Sequence, residues 1–503
     1  MFTINEIAAA TGGRIIGRAS SEVSGVSTDS RTVTPGQLFV PLKGEQFDGH
    51  DFLTVVAERG ISAVLAEEQW LKKNTPSPLT GEGRGGGDVA VAFTDANFTH
   101  PLAPLGPQFG SSRQGRGDIT IIAVKDTLRA LGDLAAAHRQ RFHIPVIGVT
   151  GSNGKTTVKE MLGTILEQTG PGLKTSGNLN NLIGLPQMLF QLRSGHRWAV
   201  LEMGMSEPGE IDRLAEIAVP QVGIVLNALP AHLQSMGTIE AVAAAKGELL
   251  HRISAGGLAV VNADDPRVAS LQQNPSARRI SFGINRGEVR AKEIESLGLE
   301  GQRFLLVTAK GDISIHLKAC GRHNIYNALA ATAALLEKVE LPVIAAGLEA
   351  FTPYKGRFQV EQLNSITIID DSYNANPASM KAALETLAQV AGEGHRIAVL
   401  GDMLELGEHE DEAHQAVGAV AGRNADRVYL LGERMVKHAT EGALLADMPA
   451  TAIILCAGHD EIAAQLHQSL REGDVILIKG SRGMAMEKVA MQLKYLLQQD
   501  KGE

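Results

Sequence analysis

An apolar run, Val146-Ile147-Gly148-Val149, gives way to Thr150-Gly151-Ser152-Asn153-Gly154-Lys155-Thr156-Thr157, and then to Val158, Met161, Leu162, Ile165 and Leu166 at helical spacing. Strand, glycine-rich loop and helix in that order call for a sheet with helices packed on it. Glycines 151 and 154 let the backbone curl so that successive N–H groups point inward. The helix N-terminus adds partial positive charge at the same spot, so the loop reads as a phosphate cradle. Lys155 would neutralise terminal phosphate oxygens and Thr156 would hold a magnesium ion. The strict G-x-x-x-x-G-K-[ST] pattern wants glycine where this chain has Val149, so generic P-loop enzymes match less well. A glycine-rich turn with no ligand is the bland alternative. Gly170 stands where the cap of the following helix is expected.

At 503 residues the chain exceeds one core, and domains of roughly 100–200 residues predict about three. Hydrophobic content of 44% is that of an ordinary globular protein. No apolar run reaches the roughly 18 residues of a membrane helix, and Met1 to Glu6 carry no basic, apolar leader. Cys320 and Cys456 are too few for a disulfide framework, so a cytoplasmic location is expected. A net charge of −9 with mixed signs argues against nucleic-acid binding.

Short strand-like runs at 38–42 and 63–65, with a helix at 51–59, predict a small α/β module before residue 74. Residues 74–117 turn rich in Gly, Pro and Ser and are expected to form a flexible insertion. From Ile119 to Pro353, strands at 146–149, 198–202, 222–226 and 258–261 alternate with helices, predicting a parallel sheet. Strands at 366–369, 397–400, 428–431, 453–455 and 475–478 predict a second open sheet like a dinucleotide-binding fold. No G-x-G-x-x-G follows its first strand, so no nicotinamide cofactor is implied.

Glu202 ends an apolar strand and is placed to serve a nucleotide's magnesium, unless it is simply a solvated strand-end acid. His232 follows another strand, although a lone histidine is more often structural, and Lys246 alone would read as a surface lysine. Asn324 and Asn327 share one helix face and could meet an adenine edge or serve as a cap and polar face. Asp370-Asp371-Ser372-Tyr373-Asn374-Ala375-Asn376-Pro377, after Tyr354-Lys355-Gly356-Arg357, reads as a site edge or an elaborate helix cap.

Together with Gly401-Asp402-Met403-Leu404-Glu405-Leu406-Gly407 and Lys479-Gly480-Ser481-Arg482-Gly483-Met484, these residues resemble the Mur ligases. Those ATP-dependent enzymes add amino acids to the UDP-linked peptidoglycan precursor. The resemblance covers essentially the whole chain except 74–117, and the quoted motifs are similar to those of members that join D-Ala-D-Ala to UDP-MurNAc-tripeptide. It implies an acyl-phosphate mechanism and three α/β domains. These are a small UDP-sugar-binding domain (1–117), a central P-loop parallel-sheet ATPase domain (118–354) and a C-terminal Rossmann-like ligase domain (355–503).

Carried over by position, Gly151, Ser152, Asn153, Gly154, Lys155, Thr156 and Thr157 would bind ATP phosphates, with Asn324, Asn327, Arg357 and Asp371 also on the nucleotide. Thr156 and Glu202 would serve one Mg2+, and His232 and Lys246 a second, with Lys246 a candidate for carbamylation. Lys155, Glu202, His232 and Lys246 form the implied catalytic set. Ser27, Ser30, Arg31, Lys43, Gly44, Asp48 and His50 would meet the UDP-sugar, and Asn178 and Asn181 the precursor near its reacting carboxylate. Asn374, Asn376, Ser481 and Arg482 would meet D-Ala-D-Ala. A monomer is expected. A folylpolyglutamate synthetase shares the cradle and the acyl-phosphate chemistry but would begin near its P-loop. A non-catalytic nucleotide switch would need neither a second-metal pair nor Arg357 and Asp371.

Overall fold

The computed structural model describes residues 1–17, 22–44, 46–74, 119–230, 233–390, 392 and 394–499. The expected insertion lies outside them except for Asn74, which closes the helix Glu68–Asn74. The chain forms two compact units: Met1–His143 with Leu182–Ser194, and Ile144–Asn181 with Gly195–Glu503. Among the described residues no helix is long and apolar enough to cross a membrane.

The first unit carries a five-stranded sheet in the order Arg14–Ile16, Thr120–Val124, Ala63–Glu67, Gln37–Phe39, Gly25–Ser27, parallel except for Arg14–Ile16. Thr120–Val124 is buried at all five positions because strands flank it on both sides. The boundary expected at 117/118 therefore moves to 143/144: the strand after the insertion completes this sheet rather than opening the next one. The helix expected at 51–59 starts as a 3-10 turn, Gly49–Phe52, and continues as Leu53–Glu58. Asp48 caps it by accepting the His50 N–H at 3.0 Å.

The second unit holds two sheets. One has nine strands, in the order Gly311–Leu317, Gln302–Thr308, Val289–Ser296, Arg278–Gly283, Leu258–Asn262, Val222–Val225, Val146–Thr150, Ala199–Glu202, Leu173–Lys174. Strand Val146–Thr150, wholly buried, lies parallel between Ala199–Glu202 and Val222–Val225. Three strand ends thus deliver their following loops to one edge, the position where open α/β sheets bind ligands. The parallel sheet expected here is extended by an antiparallel meander over Val289–Leu317 that the alternation of strands and helices did not reveal.

Helix Lys155–Glu167 buries Val158, Met161, Leu162, Ile165 and Leu166 in the core, as their spacing requires. It ends at Glu167 with Gln168 as cap, so Gly170 is not its cap. Gly170 instead turns the chain at φ +138, and its carbonyl accepts the Trp198 indole N–H at 2.9 Å.

The six-stranded sheet runs Gln359–Leu363, Ile366–Asp371, Val475–Lys479, Arg396–Gly401, Arg427–Leu431, Ile453–Cys456. The five strands expected from sequence are all present, and an antiparallel edge strand, Gln359–Leu363, joins them. Val475–Lys479, last in the chain, sits between Ile366–Asp371 and Arg396–Gly401. Its register sets Lys479 against Asp371 at the strand ends.

Candidate active site

A cavity of about 920 Å³ opens in the second unit, within the range typical of ligand sites. The phosphate-cradle residues 151–157 line one wall, and Arg357, Asp371, Asn374, Asn376, Ser481 and Arg482 another. Asn178, Asn181, Glu202, Lys246, Asn324 and Asn327 complete the set that sequence reasoning predicted there. His232 lies outside the described residues.

The cradle is held by its neighbours. Asn227 Oδ1 accepts the Asn153 N–H at 2.9 Å, and Ser152 Oγ donates to the Leu229 carbonyl at 3.0 Å. Gly154 has φ +88, and a Cβ there would lie 2.4 Å from Asn327 Oδ1, which fixes the residue type. Asn327 is held in turn by its amide bond to Asn324 Oδ1 at 3.0 Å. Both asparagines are therefore buried beside the cradle rather than on an open helix face. Gly154→Ala should destabilise the fold by about 1–2 kcal/mol, since a left-handed backbone costs a side chain roughly that much; urea denaturation reads the change.

Lys155 Nζ donates to the Gly151 carbonyl at 2.7 Å, across the mouth of the loop. Burial pushes its pKa down, Glu202 pulls it back up, and Arg357 adds to the depression. Glu202 is 3% exposed at the end of its strand. One carboxylate oxygen accepts the Thr156 hydroxyl at 3.0 Å and the other the Asn180 amide at 2.9 Å. A hydroxyl and a carboxylate side by side are hard oxygen donors of the kind Mg2+ prefers, so these residues fit that ion.

Lys246 is 3% exposed on the helix Ile239–His251, not on the surface. It makes no hydrogen bond or ion pair with any described residue. Burial drives its pKa well below the ordinary lysine value, and the charge of Lys155 adds to this.

The C-terminal wall is cross-linked to the cradle. Asn153 and Asn376 exchange amide hydrogen bonds at 3.2 and 2.7 Å. Arg357 donates to Thr156 Oγ1 at 3.3 Å and lies over the Tyr373 ring at 3.9 Å. Its Nε is buried without a partner among the described residues, a costly state that an anionic oxygen would relieve. Lys479 binds Asp371 at 2.6 Å and the Asn374 carbonyl at 3.0 Å, fixing the segment between them. Ser481 is buried, its hydroxyl accepting the Leu404 N–H at 2.9 Å, whereas Arg482 pairs with Glu487 at the rim.

Sequence reasoning gave no role to the Asp264–Tyr326 pair, and placed Asn180 and Tyr373 only within longer segments, the 175–181 strip and the 370–377 site edge. Asp264 accepts the Tyr326 hydroxyl at 2.9 Å and the backbone N–H groups of Ile284, Asn285 and Arg286. Burial and that bond push the Tyr326 phenol up to about 12. The signal was present: Asp264 follows the end of strand Leu258–Asn262 much as Glu202 closes its own strand.

The residues expected to meet the UDP-sugar lie in the first unit. Asp29 and Arg31 form a two-pronged pair at 2.9 and 2.8 Å, and Lys43 bridges to Asp48 through the backbone. Gly44 donates its N–H to the Phe47 carbonyl, and Ser27 Oγ accepts the Asp29 N–H at 3.3 Å; Ser30 lies on the turn between them and Arg31. His50 is 1% exposed, Nδ1 binds Asp48 at 2.6 Å, and Nε2 accepts the Glu67 N–H at 3.0 Å. Both nitrogens are engaged and the ring stacks on Trp70, an arrangement that positions Asp48. His50→Leu should destabilise this unit by about 1–3 kcal/mol by orphaning the Glu67 N–H, which urea denaturation would detect.

Comparisons with known proteins cover all three parts of the chain. Residues 22–78, 149–335 and 356–482 match the families described as Mur ligase family catalytic domain, Mur ligase middle domain and Mur ligase glutamate ligase domain. The UDP-N-acetylmuramoyl-tripeptide--D-alanyl-D-alanine ligase of Escherichia coli (strain K12) is 35% identical over 503 residues, covering 98% of each chain. The crystal structure of MurF from Acinetobacter baumannii matches with a TM-score of 0.82 at 32% identity, covering 98% of this chain and 99% of that one. MurF ligase from Thermotoga maritima, solved in complex with ADP, matches with a TM-score of 0.75 at 27% identity, covering 95% and 99%.

Proposed function

The chain belongs to the Mur ligase family, and from that premise we propose that it joins D-Ala-D-Ala to UDP-MurNAc-tripeptide with ATP as the energy source. The products are UDP-MurNAc-pentapeptide, ADP and phosphate, which makes the enzyme a ligase of peptidoglycan precursor synthesis. The observation that carries this reading is the cavity in which the phosphate cradle faces Arg357, Asp371 and Lys479, together with the near-complete coverage of the E. coli relative.

The chemistry must make a carboxylate, a poor acylating agent, react with an amine. The precursor's terminal carboxylate attacks the γ-phosphorus of ATP, forming a C–O–P linkage as the β–γ bridge breaks and ADP leaves. The amine of the dipeptide then attacks the acyl carbon, phosphate departs, and a proton is lost from nitrogen. Lys155, the N–H groups of residues 151–157 and Arg357 spread the negative charge that gathers on the transferred phosphoryl group. The Asn153–Asn376 amide pair and the Arg357–Thr156 bond support closure of the C-terminal wall over the cradle, which keeps water from the acyl phosphate.

Bound Mg2+ supplies Lewis-acid neutralisation of the phosphate oxygens. Thr156 and Glu202 would hold one ion, supported by their adjacent oxygens, and His232 with carbamylated Lys246 a second, supported by the stranded amine of Lys246. Gly151, Ser152, Gly154 and Thr157 serve the phosphates, with Asn324 and Asn327 behind them. Asn178 and Asn181 serve the precursor near its reacting end, and Asn374, Ser481 and Arg482 the dipeptide. Ser27, Ser30, Arg31, Lys43, Gly44 and Asp48 remain the proposed UDP-sugar contacts. A cytoplasmic monomer, with an ATP-binding domain ending near 354 and a ligase domain after it, completes the reading.

The test is ADP release from the purified enzyme with each substrate omitted in turn. Release requiring both UDP-MurNAc-tripeptide and D-Ala-D-Ala, with pentapeptide formed in equal amount, is expected; ATP consumption without a new amide would overturn the assignment.

A further inference from the structure

A buried lysine outside the proposed catalytic set sits between the interdomain linker and the strand end that carries Glu202. Lys159 lies one turn into the helix that follows the cradle and is 1% exposed. Lysines rarely give up water without compensation. Here Nζ meets Glu160 at 2.8 Å, donates to the Thr175 carbonyl at 2.7 Å, and sits 5.5 Å from the centre of the Tyr354 ring.

Two of these neighbours, Thr175 and Tyr354, lead to the reacting end of the cavity. Thr175 is 2% exposed, and its Oγ1 accepts the Glu202 N–H at 2.9 Å. Glu202 then aims its two oxygens at Thr156 and Asn180. Tyr354 lies in the linker between helix Leu341–Ala350 and strand Gln359–Leu363. Its carbonyl accepts the Arg357 N–H at 2.9 Å, so the Tyr354 and Arg357 side chains leave the same backbone turn. From that turn Arg357 reaches the same Thr156 hydroxyl.

We propose that Lys159 is a positioning residue that couples the seating of the Tyr354–Arg357 turn to the aim of the Glu202 carboxylate. A simple ion pair with Glu160 would balance its charge but would need neither the Thr175 carbonyl nor an aromatic face. Removing the ammonium leaves the Thr175 carbonyl without its buried donor, freeing the segment that holds the Glu202 backbone. It also removes the cation on which the linker ring rests. Residues that orient a metal-serving carboxylate typically change metal affinity about 10–100-fold when lost. The inference rests on the reading that Glu202 serves nucleotide-bound magnesium.

The experiment is calorimetric ADP binding with and without Mg2+, alongside the Mg2+ dependence of turnover, for Lys159→Met, Lys159→Arg, Tyr354→Leu and Glu202→Gln. Lys159→Met should cut the gain in ADP affinity conferred by Mg2+ roughly tenfold while leaving Mg2+-free binding and the KM for D-Ala-D-Ala unchanged. Lys159→Arg should restore part of it. Tyr354→Leu, a change at a partly exposed ring, should shift the gain in the same direction and tests the coupling even if the Met variant folds poorly. An unchanged Mg2+ gain in Lys159→Met or in Tyr354→Leu overturns the proposal. Glu202→Gln keeps the two readings apart: if it leaves the Mg2+ gain intact, the role given to Glu202 fails, whereas loss there with no effect at Lys159 sinks only the coupling.

Discussion

Lys155→Ala is expected to slow substrate-dependent ADP release by about two to three orders of magnitude, the usual loss when one preorganised electrostatic donor is removed. The reason lies in the charge balance of the cradle. A carboxylate approaching a triphosphate meets repulsion, and the cations hydrogen-bonded to the phosphate loop are Lys155 and Arg357. Lys155 already spans the loop, its Nζ on the Gly151 carbonyl, so its stem is ordered before any ligand arrives. Arg357 adds its own charge from its seat on Thr156 and the Tyr373 ring, and so does not fill the place that Lys155 Nζ vacates on the Gly151 side of the loop. The substitution should leave the melting temperature nearly unchanged, since Nζ gives up only one hydrogen bond. Steady-state turnover near that of the parent enzyme would refute the phosphate role.

Lys246→Ala should be inactive, and a short carboxylate such as formate or acetate should restore part of the turnover. The side chain is desolvated, has no ionic partner among the described residues and is repelled by Lys155, so its ammonium is an unfavourable state. A neutral amine in that position can attack carbon dioxide, forming an N–C bond and releasing one proton. The carbamate so formed is an anion, and it turns a repulsive neighbour of Lys155 into an attractive one. Intact-protein mass spectrometry loses such a labile group, so chemical rescue is the better measurement. Rescue should saturate with added carboxylate; a dead variant that no small acid revives would remove the support for carbamylation.

Much of this site could be read before folding was considered, and the reason is local. The cradle, Glu202 and the 370–377 segment each sit where an apolar strand stops, so a hydrophobic run followed by polar residues marks them. Lys246 and Asn327 carried no such mark: each lies within a helix, and only burial near the charge of Lys155, or the close approach to Gly154, gives it meaning. The burial of His50 was not legible because its partners, Asp48 and Glu67, come from a turn and a strand whose proximity no linear pattern announces. The Val289–Leu317 meander was missed because Val289–Ser296 is rich in charge and Gly311–Leu317 alternates polar with apolar residues, which leaves the apolar run 304–307 of the strand between them without visible partners. Thr120–Val124 is apolar enough to be seen, but pairing, not composition, assigns it to the first sheet.

The insertion of Val475–Lys479 between Ile366–Asp371 and Arg396–Gly401 has a consequence for how the polypeptide is made. While the ribosome is still short of residue 475, the earlier strands cannot close up, and Ile368 and Val399 border an open slot with unpaired backbone on both sides. A message broken before that point would yield a nascent chain with a sticky, strand-shaped gap, a natural substrate for chaperones and proteases. Supplying the missing segment as a separate peptide should rescue such a fragment's solubility, because the slot accepts a parallel strand from either source.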